Sequence, residues 1–194
     1  MTTTAEAREV SWRPSAGAVA RARALRDARD NSVPEGHSER FDRADEDNCD
    51  TRWTGEILEL LFAGEADRRG VPYDWLGGRG QPDFVINGVT IDCKAGSGKG
   101  QPRSDYNVEI SQDGLSSPVD LHVFGHWTPE EQTMHLVGAM SHRKLVETGR
   151  FYKHGDRLPT GLRVKDHSGI VSATVEELAS LEQLFRLLAK RGER

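Results

Sequence analysis

The segment from Pro82 to Lys94 reads PDFVINGVTIDCK, and its centre strongly favours one local structure. Asn87-Gly88 separates two β-rich runs, and Asn-Gly is the dipeptide best suited to the two positive φ angles of a two-residue type I′ turn. Counting outward from that turn sets a register. Ile86 pairs with Val89, Val85 with Thr90 and Phe84 with Ile91, and Asp83 is expected directly opposite Asp92. Side chains alternate along a strand, so Asp83, Val85, Thr90, Asp92 and Lys94 share one face. Phe84, Ile86, Val89, Ile91 and Cys93 share the other, which is apolar enough for a core. The first face sets two carboxylates about 5 Å apart at Cβ, where like charges repel. It therefore calls for a positive charge, either a divalent cation or Lys94.

The chain around this hairpin has 194 residues, enough for one domain with a substantial core. It contains no long apolar run, and its N-terminus, MTTTAEAREV, has no hydrophobic stretch. No membrane segment and a cytoplasmic location are the expectations. Two cysteines, Cys49 and Cys93, can build neither a disulfide framework nor a four-cysteine zinc site. A formal net charge of −5 argues against a protein that coats nucleic acid indiscriminately, although a local basic surface can still bind phosphates.

Charge layout divides the chain near residue 50. Residues 1–50 begin with scattered arginines and end in an acidic stretch from Asp42 to Asp50, with few large apolar residues. The run from Ala16 to Asp30 reads as a helix with a sparse apolar side, so the whole segment is expected to be a charged extension, partly disordered or helical, rather than core. Residues 51–194 form the folded domain. A helix from Thr51 to Arg69 places Trp53, Ile57, Leu60, Leu61 and Gly64 on one face and stops at Gly70. Glu56 lies at the margin of that face and Glu59 nearly opposite its centre, so Glu56 is the better placed of the two to look into a site beside the hairpin. Strands are expected at Tyr106 to Gln112, Val119 to Phe124 and Thr133 to Met140. A short helix follows, capped by Ser141 and closed at Gly149. Arg157 to Val171 reads as irregular or weakly extended. A capping box of Thr174 and Glu177 is expected to open the last helix, whose stripe is Leu178, Leu181, Leu184, Phe185 and Leu188.

The order of a helix glutamate (Glu56 in GEILELL), Pro82-Asp83 and Asp92-Cys93-Lys94 resembles the PD-(D/E)XK nuclease superfamily. The resemblance runs from about Trp53 to Gly138. It implies an α/β domain of the restriction-endonuclease-like kind, with a central mixed β-sheet flanked by helices, that hydrolyses DNA phosphodiesters with Mg²⁺, or Mn²⁺ in its place.

The chemistry of phosphodiester hydrolysis leads to the same residues. Mg²⁺ takes one or two carboxylates together with waters and phosphate oxygens, and one of those waters can become the nucleophile. Asp83 and Asp92 are then the ligands, with the Cys93 backbone carbonyl as a third oxygen and Glu56 completing the shell directly or through water. Lys94 orients the attacking water and offsets charge on the phosphate. Gln112, at the end of the next strand, is a further candidate. Arg79, Lys99 and Arg103 flank the hairpin and Arg143 and Lys144 lie in a basic region, so these are candidates for phosphate contacts. The expected activity is an endonuclease. A silent DNA-binding module on the same fold and a nuclease acting on RNA are the alternatives, and a homodimer is compatible with either.

Two other signals are set aside. Gly96-Ser97-Gly98-Lys99-Gly100 lacks the spacing and the Ser or Thr of a phosphate-binding Walker loop. His122 and His126, four apart on an alternating strand, read as structural histidines.

Overall fold

The computed structural model describes residues 10–31, 53–77, 81–116, 119–159, 163–164 and 169–192. Its elements, in chain order, are β1 (Val10–Trp12), α1 (Ala16–Asn31), α2 (Thr54–Arg68), β2 (Asp74–Trp75), β3 (Phe84–Ile86), β4 (Val89–Ser97), β5 (Asn107–Ser111), β6 (Leu121–Thr128), β7 (Thr133–Ser141), α3 (His142–Thr148), β8 (Arg150–Tyr152), β9 (Ile170–Thr174) and α4 (Leu181–Gly192). The fold is mixed α/β. A six-stranded mixed sheet runs β1-β7-β6-β4-β3-β2, and a three-stranded antiparallel sheet runs β5-β9-β8.

The hairpin forms as its sequence requires. Asn87 and Gly88 take φ of 49° and 75°, and β3 and β4 pair Ile86 with Val89, Val85 with Thr90 and Phe84 with Ile91. Phe84, Ile86, Val89, Ile91 and Cys93 are all buried in the core beneath the helices. β4 then pairs in parallel with β6. Parallel neighbours need a long connection, and here the chain between them travels through β5 and a 3-10 turn at Asp113–Ser116.

α2 lies against the central sheet on this apolar side. Its approach is close: a Cβ on Gly125 of β6 would stand 2.5 Å from Leu58 Cδ1, so a side chain there would push the helix off the sheet. α4 buries Leu181, Leu184, Phe185 and Leu188 in the same core, each worth about 1.5–3 kcal/mol of transfer free energy. The opposite face of the sheet, with Phe124 and Met140, is covered by Val108, Ile110, Val171 and Ala173 of the small sheet and by Leu145 of α3. The result is three layers, with α1, α2 and α4 on one side of the central sheet and the small sheet with α3 on the other.

Several expectations are corrected. Residues 16–31 are not a solvated arm: α1 packs on α2, with Ala22 fully buried in the main core. This explains why α2 is buried on nearly every side, Glu56, Glu59 and Glu65 included, where a one-sided stripe was expected. β1 pairs with β7, and β9 (Ile170–Thr174) begins in the last two residues of the stretch expected to be irregular or weakly extended. The Thr174–Glu177 capping box is present but opens only a 3-10 turn. α4 starts later with its own reciprocal cap, in which Ser180 Oγ accepts from the Gln183 amide and Gln183 Oε1 accepts from the Ser180 amide. α3 is capped by Ser141 as expected. Gly149 closes it for a steric reason, since a Cβ there would meet the Leu145 carbonyl and Val171 at 2.4 Å. Among the described residues, no helix is long and apolar enough to cross a membrane.

Candidate active site at the base of the hairpin

β3 begins one residue later than the sequence register implies. Asp83 sits in a bend before Phe84, its amide donating to the Ile91 carbonyl (2.9 Å) and its own carbonyl accepting from Leu76. The expected ladder pairing of Asp83 with Asp92 therefore does not form. Instead, the Asp83 carboxylate turns onto β4, where Oδ2 accepts a 2.7 Å hydrogen bond from the Cys93 amide. The two acids still converge near Cys93, one capping its N–H and the other preceding it in the chain.

Lys94 lies on the same face of β4 as Asp92, with Nζ 2.9 Å from Asp92 Oδ2. A second neighbour of that oxygen is His122, whose Nδ1 stands 3.3 Å away and whose side chain is fully buried. The parallel register places His122 directly beside Asp92, and its Nε2 lies 3.1 Å from His142 Nδ1 at the start of α3. His122 is a buried structural histidine, as expected, and its place is beside the site carboxylate. It holds one end of the site carboxylate, and a carboxylate–imidazole–imidazole chain leads outward from Asp92. Sequence reading missed that place because strand pairing between residues 30 apart leaves no local trace. Burial pushes the Asp92 carboxyl up, but His122 and the Lys94 ammonium more than offset this and hold it below the usual carboxylate range.

The helix side of the site is also rearranged. Glu56 and Glu59 are both buried, and both are held by α1. Arg29 Nη1 and Nη2 each lie 2.7 Å from one oxygen of Glu59 as a two-pronged pair, and Nη1 also donates to Glu56 Oε1 (3.0 Å). Nε of the same guanidinium donates to the Gly77 carbonyl, and the Trp75 indole N–H donates to Glu59 Oε2. Arg26 stands 3.8 Å from Glu56. Of the two glutamates, Glu59 is the one whose charge helps raise the Asp83 carboxyl, whereas the apolar stripe pointed to Glu56. That preference assumed one buried face; with α1 covering the outer side, both faces are inside. Nothing in the pattern of α1 announced Arg29 as its functional residue among so many arginines.

Four carboxylates (Glu56, Glu59, Asp83, Asp92) thus meet three cations (Arg26, Arg29, Lys94), and Asp83 forms no ion pair among the described residues. Burial, followed by the Glu59 and Asp92 charges, raises its carboxyl to about 7 against the pull of the Cys93 amide and Lys94. The sign for stability follows. Between its ordinary value and about 7, the folded protein holds a proton on Asp83 that the unfolded chain has released. Stability is therefore fully present at acid pH and is lost as pH rises through 7. In EDTA, denaturant midpoints should fall between pH 5 and pH 8, and Asp83→Asn should flatten that slope; a slope unchanged in the variant would show that Asp83 is not its source.

The donor set fits a hard dication. Among the described residues, no group of three His, Cys, Asp or Glu side chains is arranged around one point. Mg²⁺ asks for less, since one or two carboxylates suffice when waters and substrate oxygens fill the shell. Asp83 and Asp92, with the Cys93 carbonyl, would hold it, and it would supply the charge that Asp83 lacks.

The remaining candidates separate. Gln112 lies exposed in the turn after β5, tied by its amide to Gly169 of the small sheet, and so does not belong to the sheet that carries Asp92. Lys99 follows β4 into the cleft beside Lys94. Arg103 pairs with Asp105 at 3.0 Å and lies over the Tyr106 ring. Arg143 is exposed on α3, 3.9 Å from Glu147, and Lys144 Nζ donates to the Glu177 carbonyl. Arg79 lies outside the described residues. Comparison of the sequence with family models and with curated proteins finds no match to either.

Proposed function

We propose that this chain is a metal-dependent nuclease that hydrolyses DNA phosphodiester bonds, an endonuclease built on a restriction-endonuclease-like sheet. One observation carries the reading: two buried or half-buried acids and an ammonium converge at the base of a rigid hairpin, and one of the acids has no cation of its own. The parallel step from the strand bearing Asp-x-Lys to its neighbour supports it, as does a helix acid acting on the same point.

Bound Mg²⁺ supplies a water of lowered pKa and a charge opposite the phosphate. The chain does the rest. Asp83, fixed by the Cys93 amide, and Asp92, held through Oδ2 by Lys94 and His122, keep their geometry without the long rotamer searches of surface acids. Lys94 Nζ hands part of its charge from Asp92 to the phosphate as the pentavalent centre forms. Arg29 partly screens Glu59, so that Asp83 feels a weaker repulsion when the substrate arrives.

The test is cleavage of supercoiled plasmid and of labelled single-stranded DNA with Mg²⁺, Mn²⁺ or EDTA. Cleavage in either metal and none in EDTA is expected. Metal-independent DNA binding without any cleavage would support a silent binding module instead, and cleavage confined to labelled RNA would reassign the substrate.

A further inference from the structure

We infer that the substrate strand enters as single-stranded DNA, held in the cleft between the two sheets; the inference rests on the nuclease reading above. The cleft measures ≈ 860 Å³ and begins at Lys94 itself. That volume is in the range of pockets that enclose a small ligand, about 300–1,000 Å³, which accommodates part of one strand and no duplex. Its lining also suits an unpaired strand. Past Lys94, this face of β4 carries only Gly96, with half-buried His126 of the neighbouring strand beside it. Tyr106 stands 5.5 Å from His126 between ring centroids and carries the Arg103 guanidinium 5.0 Å from its own centroid.

Lys94, Lys99 and Arg163 are the cations among the described lining residues, and Glu109 is the acid. A duplex turns its phosphates outward and its bases inward, so it would meet the cations but leave the rings unused. A single strand presents both at once, which is how sequence-tolerant single-strand sites work. The deeper walls, Val108, Leu158, Val164 and Ile170, are apolar.

Gly96 provides the test, because a Cβ built there meets nothing within 4 Å. Gly96→Leu should therefore fold normally and fill the cleft. Fluorescence anisotropy of the full chain in EDTA, with labelled oligonucleotides of one sequence, should show the single strand bound at least tenfold tighter than the duplex. Gly96→Leu should remove that advantage while duplex binding and thermal midpoint stay put. Lys99→Gln should weaken single-strand binding and lower the slope of log K against log salt by about 0.7, a readout that stands even if Gly96→Leu misfolds. Equal affinity for duplex, undiminished single-strand binding in both variants, or tighter binding of the RNA strand would each overturn the inference. Binding without cleavage would overturn only the nuclease reading, whereas plasmid nicking by a protein that ignores single strands would overturn only this one.

Discussion

Lys94→Ala should lower the single-turnover rate of DNA cleavage by about 10²- to 10³-fold, the usual cost of removing one fixed positive or hydrogen-bonding group from a developing oxyanion. The structure explains why so much would rest on one side chain. Lys94 follows Asp92 by two residues on a strand, so the pleat sets ammonium and carboxylate on one face, and the 2.9 Å contact holds the ammonium at the edge of the cleft. Metal binding should survive, because Lys94 competes with a cation for Asp92 rather than assisting it. Manganese titration calorimetry should give an affinity equal to or above that of the unaltered chain. Lys94→Arg keeps the charge but not the compact point geometry, so it should recover only part of the rate. Turnover by Lys94→Ala within a factor of two of normal would remove Lys94 from the mechanism and leave the proposed function without its most specific residue.

Arg29→Met should cost about 3 kcal/mol of folding stability. Removing one partner of a buried ion pair leaves uncompensated charge, with a typical penalty of about 3–5 kcal/mol, and the lower end applies because the Arg29 side chain is 23% exposed while Glu56 and Glu59 are nearly sealed. At about 2–4 °C per kcal/mol for a chain of this length, the thermal midpoint should drop by roughly 6–12 °C. The double variant Arg29→Met/Glu59→Gln should recover part of the loss, since Gln still accepts from the Trp75 indole and no longer carries the charge. A double-mutant cycle read by denaturant unfolding measures that coupling. A loss below about 1 kcal/mol, with additive singles, would mean that water reaches the acids and that α1 is as peripheral as its composition suggests. The same variant should raise the metal-free Asp83 carboxyl further, because Arg29 no longer screens Glu59.

Local rules carried the hairpin. A two-residue Asn-Gly turn, two alternating runs and the position of Lys94 relative to Asp92 are properties of adjacent residues, and they were legible from Pro82 to Lys94 without any knowledge of the rest. The amphipathic stripe of α4 and the Ser141 cap of α3 were legible for the same reason: each depends on contacts three or four residues apart. What tertiary structure alone decided is which distant groups attend the two acids. Asp83 leaves the ladder as its amide turns to the Ile91 carbonyl and its carbonyl takes the Leu76 amide. Glu59 is buried alongside Glu56 because α1 closes over the outer side of α2. Arg29 reaches its acids across 30 residues, and His122 meets Asp92 across a parallel register that no periodicity encodes. Strand and turn are written in side-chain alternation and backbone dihedral preference, whereas the electrostatics of the site depend on packing between elements far apart in the chain, and burial is what gives those charges their strength.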